Sequence, residues 1–330
     1  MIRFFANANY DFIAVRKYAY ALTAVIMIPG LILLAITGLN YSIEFTGGAQ
    51  VHITTLGDKL IGAGEIRSAL DAGGLKGAEV QNFGSAREFK IIARLGEAGA
   101  GTQEESQRIA AAVQQALTQR FGEAAYRLEG RDAVGPKVGG EMRQKALVAI
   151  LLSFVATLVY LAFRFEFRFG VAAVVATAHD ILTTLAFIKY MNLEVSLVVV
   201  AAILTVVGYS LNDTIIIFDR TRENLHKYKR DDLGGILNRS INETLPRSVL
   251  THGTTIATTL ALLVFAGEVI RPFAWVMTFG IFTGTFSSIY IAGPILLWIE
   301  KKWPGHEARG VKARVAPATH GTPSAPPLLG

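Results

Sequence analysis

Six long apolar stretches constrain this chain more than any other feature. Each is close to the length that an α-helix needs to cross the roughly 30 Å hydrocarbon core of a bilayer, because a helix rises about 1.5 Å per residue. The stretches cover residues 18–39, 146–163, 169–187, 193–218, 248–266 and 272–299. The sequence therefore predicts an α-helical integral membrane protein with six transmembrane helices, the first of which is a retained anchor and not a cleaved signal peptide.

The composition is typical of a membrane protein and excludes several kinds of chemistry. Of the 330 residues, 52% are hydrophobic, a share that is high for a soluble globular domain. The chain has no cysteine, so disulfides, thiolate metal sites and thiol catalysis are excluded. The net charge of +6 is interpreted as a topology signal and not as a sign of nucleic-acid binding, because of where the cations lie.

Lysine and arginine concentrate before the first apolar stretch, between the second and third, after the fourth and after the sixth. Because cytosolic loops carry the excess of Lys and Arg, both termini are predicted to be cytosolic. The predicted order is a cytosolic N-terminus (1–17), transmembrane helix 1 (18–39), an exported domain (40–145), transmembrane helices 2–6 (146–299) with a cytosolic loop at about 219–245, and a basic, disordered cytosolic tail (300–330).

The exported segment alternates strand and helix patterns. Period-2 alternation predicts strands, with Val51, Ile53 and Thr55 sharing one face of the first strand, and helical spacing predicts two helices. The predicted elements are a strand at 50–55, a helix at 61–70, strands at 79–83 and 88–95 joined by a turn at 84–85, a helix at 102–121 and a strand at 125–128, with a flexible turn at 99–101. The order β-α-β-β-α-β predicts an α+β ferredoxin-like sandwich, a fold that does not define a function.

Asp213 lies near the end of the fourth apolar stretch. A carboxylate inside a membrane helix costs about 2.5–3.5 kcal/mol on insertion scales, so such residues face a protein interior and commonly handle ions or protons. Two interpretations stay open: a buried acid that is fixed by a polar neighbour, or a group whose protonation is coupled to helix movement. The second is favoured, because burial and a nearby arginine act on a carboxyl group in opposite directions.

Other polar groups fall inside predicted spans. His179 and Asp180 lie in the third span and form either a local structural pair or part of a proton relay. A threonine stripe in the fifth span serves either helix packing or a wet cavity. If the fifth helix begins near Ile236 and continues through Pro246, Arg247 lies within the membrane and needs a carboxylate partner, either Asp213 or an acid of a partner subunit.

Four motifs in chain order identify a family. They are Ser-Ile-Glu-Phe-Thr-Gly-Gly at 42–48, Val-Gly-Pro-Lys-Val-Gly-Gly-Glu at 134–141, Arg-Phe-Glu-Phe-Arg-Phe at 164–169, and Val-Gly-Tyr-Ser-Leu-Asn-Asp-Thr at 207–214 with its continuation to 224. The chain resembles the SecF branch of the SecD/SecF family of bacterial protein-export proteins, which is related to the resistance-nodulation-division (RND) transporters. The resemblance covers the chain from the first through the sixth predicted helix.

The resemblance implies half of an RND-type twelve-helix core that pairs with SecD as a heterodimer. It also implies that the protein acts beside the SecYEG channel, with YajC and the YidC insertase as further partners. The implied substrate is an unfolded exported polypeptide. Asp213 and Arg247 match the family's proton-coupling residues. The supporting polar residues within the membrane are Asn212, Asp180, His179, Thr251, Thr254 and Thr255. His252 departs from the family pattern and is a candidate additional titrating group.

Two glycine pairs mark the ends of the exported segment, where it meets the membrane. Glycine accepts unusual dihedral angles and close packing, so these positions are either tight turns or a hinge for the domain. The junction motifs contribute Phe45, Thr46, Gly47, Gly48, Gly135, Pro136, Gly139 and Gly140.

The sequence and the resemblance together predict a multi-pass subunit of the bacterial inner membrane that uses the proton-motive force to promote translocation and release of exported proteins. We expect no covalent chemistry, no metal and no cofactor, with protons as the coupling ion. Two alternatives stay open. One is a stand-alone RND-type transporter of small molecules or lipids, and the other is a purely structural assembly factor of the translocase.

Overall fold

The computed structural model describes residue 5 and residues 8–57, 60–93 and 103–303. Within these residues six helical segments are long and apolar enough to cross a membrane. They are α1 (Arg16–Thr37), α5 (Pro136–Arg164), α6 (Phe167–Tyr190), α7 (Leu197–Lys227), α8 (Leu233–Phe265), and a last span formed by α9 (Arg271–Ser287), a π-helical turn (Ser288–Ala292) and α10 (Gly293–Lys302). The predicted class, a helical membrane protein with a small α+β domain, is confirmed.

The helices extend beyond the apolar stretches that predicted them. Helix α5 begins at Pro136 where the apolar stretch begins at 146, and α8 begins at Leu233 where its stretch begins at 248. Consequently only residues 228–232 separate α7 from α8, in place of the loop expected over 219–245. Hydropathy marks the part of a helix that suits hydrocarbon, whereas the helix continues as long as its backbone hydrogen bonds are made.

The α+β domain lies between α1 and α5. It contains the single-turn α2 (Ile43–Thr46), β1 (Gly48–Thr55), α3 (Ala63–Ala72), β2 (Glu79–Phe83), β3 (Ser85–Ala93), α4 (Gln103–Phe121) and β4 (Tyr126–Val134). The sheet order is β2-β3-β1-β4 and every neighbouring pair is antiparallel. This is the β-α-β-β-α-β arrangement that the sequence predicts, with β4 extending well beyond the predicted 125–128. Residues 94–95 of the predicted third strand, the turn at 99–101, Thr102 and residues 304–330 of the predicted tail lie outside the described residues. The last helix continues through Lys302, although the disordered tail was predicted to begin at 300.

One face of the sheet is covered by the two helices of the domain. Val51, Ile53 and Thr55 all point into this core, as the alternation predicts, and Thr55 donates a hydrogen bond to the carbonyl oxygen of Arg87. Val113 and Leu117 of α4 are completely or almost completely buried against the same face. The domain therefore has its own core, independent of the membrane helices.

The other face of the sheet lies against loops that connect the membrane helices. Lys90 of β3 forms an ion pair with Glu194 of the α6–α7 loop. A cavity of about 520 Å³ between the domain and the α8–α9 loop is lined by His52, Phe83 and Val269, among others. The domain is thus docked on the helical bundle through its open sheet face.

The α6–α7 loop also binds the segment that leads into the domain. Backbone bonds join Val195 N to Asn40 O at 2.7 Å and Ser42 N to Val195 O at 2.9 Å. The carboxylate of Glu44 accepts a hydrogen bond from the backbone N–H of Leu197 at 2.6 Å. Leu197 is the first residue of α7, so α2 is attached directly to the start of the helix that carries Asp213.

The docked face contains a histidine whose titration affects stability. Burial, and next the positive charge of Lys90, lower the pKa of His52 below its ordinary value, against weaker opposing effects of Asp132 and Glu194. The unfolded chain therefore takes up this proton at a higher pH than the folded chain does, and the free energy of unfolding falls as pH drops through about 6.5.

Replacing His52 with Gln is expected to flatten the pH dependence of stability. The amide keeps a polar group next to Gln50, whose Nε2 lies 2.6 Å from His52 Nε2, but it does not titrate. Thermal unfolding of the purified full chain from about pH 7 to about pH 5, which brackets the ordinary histidine pKa, measures the effect. Equal pH profiles for the two proteins would show that His52 does not contribute.

Candidate functional site

Helices α7 and α9 approach each other closely because one side of the contact has small residues. A Cβ atom added at Gly280 would lie 2.3 Å from Cγ2 of Val206, and one added at Gly284 would lie 2.9 Å from Cβ of Ser210. Thr214 and Ser288 continue the seam with hydroxyl oxygens 2.8 Å apart. Small residues of this kind let membrane helices pack backbone to backbone.

Asp180 of α6 points into this seam and connects three helices. Its side chain is 1% exposed. Oδ2 accepts hydrogen bonds from Ser210 of α7 and from Ser287 of α9, the latter at 2.6 Å. Oδ1 lies 2.9 Å from Nδ1 of the neighbouring His179. Hydrogen bonds in a low-dielectric interior are stronger than in water, so this side chain ties α7 and α9 to α6.

Asp213 lies one turn after Ser210 on α7 and is 2% exposed. Its Oδ1 accepts a hydrogen bond from Ser248 of α8 at 2.5 Å, whereas its Oδ2 is buried without a hydrogen-bond partner among the described residues. Nδ1 of His252, one turn after Ser248 on α8, is likewise buried without a partner there. Buried polar atoms are nearly always paired, so the two atoms mark a place where a proton, a water molecule or a partner group is accommodated.

The two carboxylates belong to separate clusters. Within the described part of the chain, no hydrogen bond connects the Asp180 cluster to Asp213. The predicted relay through His179 and Asp180 therefore has no continuous hydrogen-bonded path to Asp213 among the described residues, and both interpretations of the pair stay open. Sequence reasoning missed the roles of Ser210, Ser248 and Ser287. For Ser210, the available signal was its position one helical turn before the intramembrane acid Asp213.

Arg247 does not form the direct ion pair with Asp213 that was one of its two predicted possibilities. Helix α8 continues through Pro246, and Arg247 lies on its exposed side with no ion pair within 4 Å to any described residue. It is nevertheless near enough to Asp213 to act on it electrostatically. The other possibility, an acid of a partner subunit, stays a prediction.

The remaining predicted polar residues lie at the surface of α7 and α8. Asn212 and Thr254 are exposed, and Thr251 and Thr255 are half-buried. The hydroxyls of Thr254 and Thr255 donate to carbonyl oxygens of their own helix, and Thr255 also accepts from Tyr209 Oη at 2.9 Å. The hydroxyls of Thr254 and Thr255 thus have partners within their own helix, but together with Arg247 they make this surface more polar than one that faces hydrocarbon.

The two junction motifs pack against each other. Gly47 has a φ of +76°, and a Cβ added there would lie 2.7 Å from Cα of Pro136. Gly139 is buried in the first turns of α5, where an added Cβ would lie 2.9 Å from the backbone nitrogen of Gly47 and 3.2 Å from the carbonyl carbon of Phe45. The glycines therefore permit a close contact between the entrance and the exit of the domain.

The other junction residues surround that contact. Gly135 is the N-cap of α5, where Pro136 occupies the first turn, as suits a residue without a backbone N–H. Gly48 begins β1 with a φ of +129°, and Thr46 is exposed with its hydroxyl on the carbonyl oxygen of Ser42 at 3.1 Å. The hinge role of these motifs stays a prediction.

Gly139 and Gly140 provide a matched pair of substitutions. Gly139→Ala places a methyl group into the backbone of Gly47 and Phe45, whereas Gly140→Ala meets nothing within 4 Å. We expect the first variant to lose about 1–3 kcal/mol of stability, as overpacked sites do, and the second to be neutral or slightly more stable because Ala favours the helix. Melting temperatures of the two purified proteins check this, and equal values would contradict the close contact.

Asp180→Ala is expected to destabilise the bundle. Ser210 has no other acceptor among the described residues, and leaving a buried hydroxyl unpaired costs about 1–3 kcal/mol. Adding Ser210→Ala to Asp180→Ala is expected to restore part of that loss, since the stranded hydroxyl is then gone. Melting temperatures of Asp180→Ala, Ser210→Ala and the double variant, with exposed Thr254→Ala as control, measure the coupling. Additive losses would show that the two side chains act independently.

Comparisons with known proteins agree with this architecture. The family model described as "Protein export membrane protein SecD/SecF, C-terminal" matches residues 113–302, and the model of the SecD/SecF GG motif matches residues 32–54. The chain is 53% identical to the protein translocase subunit SecF of Gemmatimonas aurantiaca, with 97% of each chain covered. It is 41% identical to that of Desulfurispirillum indicum, with 87% of this chain and 90% of the relative covered.

Solved structures show the same fold within a longer chain. The crystal structure of SecDF from Thermus thermophilus superposes with a TM-score of 0.78 at 32% identity, covering 90% of this chain and 40% of that one. SecDF in its super-membrane-facing form gives a TM-score of 0.64 at 32% identity, covering 93% and 40%. The chain thus spans about two fifths of each SecDF chain.

The spans, the inserted ferredoxin-like domain and the buried carboxylates define a multi-pass membrane protein of the protein-export class. Within that class, the length and the sequence identity of the matches identify one family. The chain belongs to the SecF family of protein translocase subunits.

Proposed function

We propose that this chain, together with SecD, uses the proton-motive force to promote translocation and release of proteins exported by the Sec machinery. The observation that carries the proposal is the buried Oδ2 of Asp213, which lacks a hydrogen-bond partner among the described residues. A carboxylate in that position is stabilised when it binds a proton, and it is also stabilised when a cation approaches it. Its state therefore depends on how the surrounding helices are arranged.

The exposed polar side of α7 and α8 supports a helical partner. Asn212, Arg247 and Thr254 would face lipid if this chain were alone, and an arginine in that position is costly. The SecDF chains contain a SecF-like part in a longer protein, of which this chain covers 40%. SecD would supply the other half of such a bundle, and an acid from SecD opposite Arg247 would complete the site.

A proton crossing the site has enough energy to change the helix arrangement. Moving one elementary charge across 100 mV is worth about 2.3 kcal/mol, comparable with one or two buried hydrogen bonds. Protonated Asp213 would no longer attract Arg247, while Ser248 and His252 would remain beside it on α8. Binding and release of the proton would then move α7 and α8 between two positions. His252 is a second group able to hold the proton during this step.

The connection from α7 to the α+β domain provides a route from proton to substrate. Glu44 accepts from the first backbone N–H of α7, and Glu44 belongs to α2, directly before β1. A shift of α7 along its axis would strain this bond and the nearby contact between Gly47 and Pro136. Movement at Asp213 would therefore reach the domain that handles the exported polypeptide.

The remaining features of the proposal follow from this role. The protein lies in the bacterial inner membrane with both termini in the cytosol, and it works beside SecYEG with YajC and YidC. It performs no covalent chemistry and needs no metal or cofactor, because protons are the coupling ion. The unfolded exported polypeptide is the substrate of the assembly.

Asp213→Asn tests the proposal in cells whose native copy is deleted. The amide keeps the shape of the side chain but cannot take up and release the proton. Export of a secreted reporter is expected to fall to the rate that wild-type cells show with an uncoupler, and the uncoupler should have little further effect on the variant. Asp231→Asn, which neutralises an exposed acid in the α7–α8 loop, serves as the control and should export normally.

Complex formation with SecD distinguishes the outcomes. If export by the Asp213 variant falls while the complex stays intact, Asp213 is the proton-linked site. If export is normal with the complex intact, the proton role is wrong and a structural assembly role replaces it. A lost complex shows that Asp213 holds the two subunits together, which also contradicts the proposed role.

A further inference from the structure

A groove opens on the side of the bundle formed by α1, α6 and α10. Its volume is about 640 Å³, and its lining is mostly apolar, with Met27, Leu182 and Ile291 among the contributing side chains. Two cations, Arg16 and Lys301, complete the lining. Of the residues assigned to proton coupling, only His179 lines this groove.

The groove lies next to a close contact between α1 and α6. A Cβ added at Gly30 would lie 2.5 Å from Cβ of Ala186, and Tyr190 Oη donates to the carbonyl oxygen of Ile26 at 2.8 Å. These contacts lie from the middle of α1 onward. On the other side of the groove, the π-helical turn at 288–292 and Pro294 interrupt the regular helix, and Ile291 of that turn lines the groove. π-helical turns occur frequently at functional sites.

The length of the groove suits one lipid acyl chain. Arg16 and Met27 lie on the same helix eleven residues apart, which corresponds to about 16 Å along its axis. Half of the hydrocarbon core of a bilayer is about 15 Å. The groove therefore reaches from one membrane surface to about the middle of the bilayer, the depth that an acyl chain of a single leaflet occupies.

The mouth of the groove has the chemistry of a phospholipid headgroup site. Arg16 is the first residue of α1 and Lys301 lies in the last turn of α10, so both cations are at the same end. Tyr20 and Trp298 stand beside them, 39% and 58% exposed, as expected of aromatic residues at the level of the headgroups. A phosphate between Arg16 and Lys301 would also lie at the N-terminal end of α1, where the helix dipole favours an anion.

We infer that the groove between α1, α6 and α10 binds one anionic glycerophospholipid, with its phosphate on Arg16 and Lys301 and an acyl chain along Met27 and Leu182. His179 lines the inner part of the groove and contacts Asp180, the carboxylate that joins α6, α7 and α9. The bound chain thus packs against the residue next to the central cluster of the bundle. This inference does not rest on the proposed proton coupling.

Native mass spectrometry of the detergent-purified full chain, titrated with phosphatidylglycerol and separately with phosphatidylcholine, tests the site. The wild type is expected to retain one phosphatidylglycerol more tightly than phosphatidylcholine. The double variant Arg16→Gln with Lys301→Gln is expected to bind phosphatidylglycerol about 30-fold more weakly. Each cation near an anionic lipid surface contributes about 1 kcal/mol, and 1.4 kcal/mol corresponds to a factor of ten.

Lys17 and Lys302 provide the matched control. They are the sequence neighbours of the two groove cations but do not line the groove. Lys17→Gln with Lys302→Gln removes the same charge and should leave phosphatidylglycerol affinity within about twofold. Ala178→Phe, which fills the groove without changing charge, should abolish binding of both lipids while the melting temperature shows that the protein remains folded.

Three results would overturn the inference. The first is equal affinity of the wild type for the two lipids, and the second is an equal loss in the control double variant. The third is binding only after residues 304–330 are removed, which would assign the groove to the chain's own C-terminal segment.

Discussion

The bundle depends on one buried carboxylate. Asp180 extends from α6 between α7 and α9 and accepts hydrogen bonds from a serine of each. A buried carboxyl group is costly unless its oxygens are hydrogen-bonded, so these bonds hold the three helices together. The glycines of α9 let α7 come close enough for those bonds to form, because any larger residue at 280 or 284 would collide with α7.

Asp213 contrasts with Asp180 although both are buried acids in membrane helices. Asp180 has both oxygens engaged, whereas Asp213 has one oxygen on Ser248 and one without a partner in the described structure. A fully bonded carboxylate stabilises one arrangement, and an incompletely bonded one leaves a second arrangement accessible. The tightly bonded contact of α6, α7 and α9 thus lies next to a less constrained contact between α7 and α8. The exposed polar side of α7 and α8 faces the proposed position of SecD.

The α+β domain is coupled to the bundle at several points. Glu44 reaches the start of α7, Gly47 and Gly139 pack the two junctions together, and Lys90 pairs with Glu194 on the docked sheet face. These contacts involve the same α6–α7 loop or the adjoining helix ends, so they provide short paths by which the proposed shift of α7 would reach the sheet. His179 lines the groove between α1, α6 and α10 and contacts Asp180, so the proposed lipid would lie next to the Asp180 cluster.

The sequence by itself determined the six spans, the order β-α-β-β-α-β and the presence of two intramembrane acids, because these follow from local hydropathy and periodicity. Only the tertiary structure decided what each acid contacts. Arg247 and Ser248 are adjacent in sequence but about 100° apart around α8, so the rotation of that helix decided that Ser248 meets Asp213 while Arg247 faces outward. Sequence spacing shows which residues of a helix share a face. Packing of α8 against α7 and α9 decides which of its faces points into the bundle. The same packing brought Gly47 against Pro136, two positions that are distant in sequence.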